Sequence, residues 1–265
     1  MAWKDVFSYV RGMADKRGFG AGAAGEATRA DDGLPLGARI GSLVKIQQSP
    51  IIRAQANGSL IATLDAGEDR VLAVSQLKLE PHTELYRFYL AMGDEDGKEK
   101  FLQVFCRPDG AIAEILYCTG RARVIPESLE DQRAYTGEAG YGLGDAGYTL
   151  WREQLADMLS EAGLAAVFGD LDRIDFTRDA GAREAVFVAP FRGQEIRIDD
   201  AQGKHGLRQQ LVTMPYVRQL AGGARETLSI TTEIVDSVDG DASRRGIHVD
   251  FVIGIPVEPE RITVQ

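Results

Sequence analysis

Apolar and polar positions alternate in short runs over most of the chain. "RVLAVSQLKL" (Arg70 to Leu79), "ELYRFYLAM" (Glu84 to Met92) and the two halves of "FLQVFCRPDGAIAEILYC" follow one another, separated by turn residues. A period of two over such lengths predicts strands. "GLPLGARIGSLVKI" (Gly33 to Ile46) and "SLIATL" (Ser59 to Leu64) precede them in the same manner. Further on, "EAVFVAPF" and "QEIRIDD" flank "RG" as a predicted hairpin. "ETLSITTEIVDS" (Glu226 to Ser237) and "GIHVDFVIGIPV" (Gly246 to Val257) form a longer pair around a polar loop. In the last run Ile247, Val249, Phe251, Ile253 and Ile255 share one face. In "LYRFYL", Leu85, Arg87 and Tyr89 share a face opposite Tyr86, Phe88 and Leu90. Both patterns predict sheet buried on one side.

Helical spacing is confined to fewer places. "YTLWREQLADMLSEAG" sets Trp151, Leu155, Met158, Leu159 and Ala162 on one face, with Gly163 as a C-terminal cap, so a helix is predicted over 148–163. "PESLEDQRAY" (126–135) opens with Pro and acidic residues that suit a helix N-terminus. At the start of the chain, Trp3, Val6, Phe7, Val10 and Met13 form an apolar face, and a Gly- and Ala-rich stretch follows. The expected fold is therefore α+β and β-rich: a mostly antiparallel sheet or partly open barrel, with two or three helices inserted mid-chain. The expected organisation is an amphipathic helix (1–17), a flexible linker (18–32) and a β-rich domain (33–265), with a candidate subdivision near 177–183.

Charge narrows the partners. Forty acidic against thirty basic residues give a formal net charge of -10. Such a surface repels phosphate backbones, so nucleic acid is not an expected partner. No apolar run reaches the roughly 18 residues that a spanning helix needs, and the first residues lack a secretory h-region. A cytoplasmic location is expected, with peripheral contact at the inner membrane as a variant.

Few residues suggest chemistry. "GLGDAG" (Gly142 to Gly147) matches the dinucleotide-binding string G-x-G-x-x-G. The strand that should lead into it is missing, since "YTGEAGY" stands there, so a Gly-rich turn and no cofactor are expected. His82, His205 and His248 have no partners at metal-ligand spacing, and the acidic runs 93–100, 169–175 and 236–246 do not fit a calcium loop. No metal is expected. Cys106 and Cys118 flank the "RPDG" turn, which places Cys106 opposite Ala111 and Cys118 about 20 Å further along its strand. That separation is too great for a disulfide.

As a series, "GLPLGARIGSLVKI", "ELYRFYL", "KFLQVFCRPDGAIAEILYC", "PESLED", "GLGDAGYTLWREQL", "TMPYVRQL" and "ETLSITTEIV" resemble the YjfK-like bacterial proteins, a family of unknown function. The likeness spans roughly 33–265. It implies a cytoplasmic accessory role in envelope maintenance or stress, and it brings no catalytic residues with it.

Two functions are consistent with these features. The favoured one is a non-enzymatic accessory or adaptor that binds a protein partner. Trp3, Val6, Phe7 and Val10 are its candidate contact face, for a partner or for weak peripheral membrane attachment. The alternative is a hydrolase that uses a carboxylate pair in a β-rich cleft.

Overall fold

The computed structural model describes residues 29–64, 68–81, 83–90, 99–156, 159–235 and 246–265. Trp3, Val6, Phe7 and Val10, the expected helix 1–17 and most of the linker lie outside the described residues. The last residues of that linker are packed onto the domain. Asp31 is fully buried and accepts a hydrogen bond from the Ile40 amide at 2.7 Å, and the Ala30 amide donates to Ala201 at 2.8 Å.

Twelve strands are found among the described residues. β1 (Leu43–Ile46), β2 (Asp69–Leu79), β3 (Thr83–Leu90), β4 (Lys100–Cys106) and β5 (Ile112–Val124) come first. β6 (Gly147–Trp151) and β7 (Arg173–Arg178) follow. β8 (Phe191–Ile198), β9 (Gly206–Gln219), β10 (Arg225–Val235), β11 (Gly246–Pro256) and β12 (Ile262–Val264) complete the set. Three helices accompany them: α1 (Ser49–Ala56), α2 (Leu129–Thr136) and α3 (Glu161–Phe168). Every pairing is antiparallel. The order β2-β3-β4-β5-β11-β10-β9-β8 returns to β2, so eight strands close into a barrel. The expected partly open barrel is in fact shut. β1 with β12 branches from the end of β2, and β6 with β7 branches from the end of β9. Residues 177–183, where a subdivision was a candidate, are the last two residues of β7 and the start of the loop that leads to β8.

Local chemistry explains most of these elements, including those that departed from expectation. Ser128 and Asp131 form a reciprocal capping box that starts α2, and Gly137 ends it with φ of +67°. The helix expected over 148–163 is instead β6, a 3-10 turn (Arg152–Leu155) and then α3, which Ser160 caps by accepting from the Gly163 amide. The i, i+4 spacing of Trp151, Leu155 and Leu159 is real. Tyr148 and Leu150 also alternate, however, and pair across from Phe176 and Ile174. The "RG" expected to turn a hairpin lies inside β8. A Cβ on Gly193 would meet the Lys78 carbonyl oxygen at 2.0 Å, so the glycine lets β8 approach β2 closely enough to seal the barrel. "SLIATL" is extended but unpaired as a strand; the buried carboxylate of Glu226 holds it, accepting from the Leu60 amide at 2.7 Å. Cys106 stands opposite Ile112 and not Ala111, because the register shifts at Phe105/Cys106.

The main hydrophobic core lies on the outer surface of the barrel wall. Phe88, Leu102, Val104, Ile115, Tyr117, Leu228, Ile230 and Ile253 point outward and are fully buried there. Ile51 of α1, Leu60 and Ile61, Leu150 and Leu155, Leu164 of α3, and Ile174 and Phe176 cover them. The alternate residues of the same strands face the lumen.

Candidate ligand site in the barrel lumen

All eight barrel strands contribute to a cavity of ≈ 250 Å³ inside the barrel. That space equals roughly eight molecules of liquid water. Side chains alternate across a strand, so one parity of each strand lines the lumen. One wall is apolar: Leu77 and Leu79 of β2, Leu85 of β3, Phe105 of β4, Phe191 of β8 and Leu211 of β9. Across from it stands a hydroxyl wall from β9 and β10: Thr213, Thr227, Ser229 and Thr231. Thr213 and Thr231 share a hydrogen bond of 2.8 Å, and Thr213 also donates to the Ile230 carbonyl at 3.2 Å. Thr227 is 5% exposed, yet its Oγ1 has no hydrogen-bond partner. A buried polar atom left unpaired costs about 1–3 kcal/mol.

Thr83, Glu114, Asp179 and Arg225, none of them fully buried, mark the mouth. Arg225 spans two carboxylates, with Nη1 3.5 Å from Glu114 and Nη2 bonded to Asp179. Its Nε is buried and has no partner. The floor is Arg87, whose Nε donates to Gln103 at 3.0 Å and whose guanidinium sits 3.7 Å from Glu195 and 5.1 Å over the Phe101 ring.

Beyond the floor, charged groups occupy the other end of the barrel. Glu195 accepts from Tyr89 at 2.9 Å and from Gln209 at 2.8 Å. Burial alone would raise its pKa, but Arg87 and these donors outweigh burial and hold the carboxyl below its usual range. Arg197 bridges Asp199 and Glu99, and burial raises the Glu99 carboxyl. Arg123 pairs with Asp250 and with Glu233 at 3.2 Å. Burial, with Asp250 beside it, pushes Glu233 up to about 8. Five carboxylates, Glu99, Glu195, Asp199, Glu233 and Asp250, thus share three arginines, and burial in this crowd favours the neutral form of Glu99 and Glu233.

The sequence singled out other positions. "GLGDAG" is a turn between α2 and β6, with Gly142 and Gly144 at φ of +83° and +121°. A Cβ on Gly144 would meet the Val188 oxygen at 2.2 Å. The amides of residues 142–146 all donate within the protein: to Asp145, Ala134, the Tyr216 hydroxyl, Gly142 and Val186. Arg178 clamps the Gly144 carbonyl at 2.6 Å. A phosphate-binding loop needs such amides free. His205 lies in the β8–β9 loop and His248 on β11, so the two are not brought together, and His82 lies outside the described residues. Among the described residues no three His, Cys, Asp or Glu side chains are placed to hold a metal. None of their helices is long and apolar enough to cross a membrane. Arg87 and Tyr89 do share a face as the alternation requires. The opposite face of β3 is buried too, because the lumen lies on one side and the outer core on the other.

The lumen residues Thr213, Thr227, Ser229, Thr231 and Arg225 were not candidates at the sequence level. Their only signal was the Ser/Thr alternation of "ETLSITT", which a solvent-facing strand would show equally.

Fold and cavity together define a class: a closed antiparallel eight-stranded barrel whose polar-and-apolar lumen holds an accessible cavity. The chain matches no family model, no curated protein and no solved structure.

Proposed function

We propose that this chain is a binding protein that takes a small, mostly apolar molecule into the barrel lumen. The observation that carries the reading is the cavity, with an apolar wall of leucines and phenylalanines facing a hydroxyl wall in which Thr227 is buried without a partner. Binding pockets characteristically combine apolar lining with a few convergent polar groups. The space is small, so the ligand is about the size of a substituted benzene ring.

An accessory role, as the resemblance to the YjfK-like proteins implies, is compatible with a binding barrel. The docking face proposed for it, Trp3 to Val10, lies outside the described residues. Hydrolysis by a carboxylate pair has less support. Glu114 and Asp179, the carboxylates that border the cavity, are both engaged by Arg225, and Glu195 and Glu233 stand behind the floor. The test is calorimetric titration with ethylbenzene and with acetophenone, two neutral molecules of that size. Saturable binding that is abolished by Leu211→Trp, which fills the cavity, is the expected result. Absence of binding, or binding indifferent to that substitution in a variant that still folds, overturns the reading.

A further inference from the structure

We infer that the lumen selects a neutral molecule carrying a hydrogen-bond acceptor, of the ketone, ester or amide kind, over both a hydrocarbon and a carboxylate. The inference rests on the lumen being a binding site. Two polar atoms border the cavity unpartnered, Thr227 Oγ1 and Arg225 Nε, and both residues lie on the lumen face of β10. Arg225 Nε can only donate, and a threonine hydroxyl can donate. A carbonyl oxygen in that part of the cavity would give these donors the acceptor they lack. A hydrocarbon of the same shape would leave them unpaired, and that loss is what gives a polar site its discrimination.

Charge excludes the carboxylate. At the mouth, Arg225 already faces two carboxylates, Glu114 and Asp179, which leaves an excess negative charge there. At the floor the charge of Arg87 is met by Glu195. An incoming anion would therefore be desolvated without a free cation to receive it. The apolar body of the ligand faces Leu77, Leu85, Phe105 and Leu211, and its acceptor faces β10.

Three molecules of nearly equal size separate the possibilities: acetophenone, ethylbenzene and benzoate, each titrated calorimetrically into the full chain. Acetophenone is expected to bind about tenfold more tightly than ethylbenzene, as one added hydrogen bond would give, and benzoate more weakly than acetophenone. Thr227→Val should erase most of the acetophenone preference over ethylbenzene, and Thr227→Ser should keep it. Melting curves of both variants establish that they fold. If ethylbenzene and acetophenone bind within twofold of each other, or benzoate binds most tightly, the selectivity inference is overturned and the lumen remains a binding site. If none of the three binds, the binding reading itself fails, and the inference with it.

Discussion

The two faces of the barrel wall obey opposite rules, although they come from adjacent residues of the same strands. On β3, Phe88 points outward into the buried apolar layer while Arg87 points inward onto Gln103 and Glu195. On β10, Leu228 and Ile230 are outward and fully buried, while Thr227 and Thr231 look into the lumen. In a small barrel the interior is often filled with side chains and serves as the core. In this protein β1, β12, the 59–64 segment, α1, α3 and the β6–β7 pair wrap the outside, so the outer layer carries the hydrophobic stabilisation. The interior is thereby released from close packing and can keep polar groups and space. The main apolar core and the lumen cavity fall to opposite parities of one sheet.

The strongest way to break this comparison is to truncate the outer face. Phe88→Ala should cost about 3–5 kcal/mol in denaturant unfolding, since the residue is completely buried in the main core. A loss below about 1 kcal/mol would show that the outer layer is not the stabilising one. Breaking the ion pair at the floor should cost a similar or slightly smaller amount. Arg87→Met strands the buried Glu195 carboxylate and is expected to lose about 3 kcal/mol or more, whereas Arg87→Met combined with Glu195→Leu should recover much of it. Failure of the double variant to recover would mean that the pair also fixes the shape of the lumen.

A pH effect of a few kcal/mol at most comes next. Glu233 is raised towards about 8 by burial and by Asp250, so the folded chain holds its proton over a range where the unfolded chain has released it. Its contribution to stability is complete below the unfolded value of about 4.5 and is lost as pH rises through about 8. The depressed Glu195 acts in the opposite sense: its contribution is present above the unfolded value and lost as pH falls through the folded one. Unfolding free energies measured between pH 5 and 9 should therefore decline with pH, and Glu233→Gln should flatten the decline. An unchanged slope in that variant would place the titration elsewhere. The smallest effect belongs to the hydroxyl wall. Thr227→Val removes an unpaired polar atom without changing volume much, so stability should rise, by about 1 kcal/mol. A loss of 2 kcal/mol would mean that the hydroxyl is satisfied in the folded protein.

The strands were largely legible because the period of two is a local property. β2, β3, β4, β5, β10 and β11 fall close to where alternation placed them. Closure was not legible, since the β2–β8 seam joins residues more than a hundred positions apart and is signalled only by Gly193, which reads equally as a turn. α1 was missed because "SPIIRAQA" is short and its apolar face is narrow. The 148–163 segment misled because a strand, a 3-10 turn and a helix in succession reproduced a helical spacing. The candidate site was the least legible of all. A threonine that faces a lumen and one that faces water have the same pattern, and only closure of the barrel distinguishes them.

The two seams also constrain how the chain reaches its folded state. β2 to β5 form one consecutive meander and β8 to β11 another, and the barrel shuts only where β5 meets β11 and β2 meets β8. Emerging from a ribosome at ~5–20 residues per second, the first meander must wait on the order of ten seconds for the second. Throughout that interval β2 and β5 present bare backbone edges, the feature by which sheets from different chains recruit one another. Pairings this distant in sequence also make ring closure slow. The vulnerable moment of this molecule therefore falls during its synthesis, before any lumen exists.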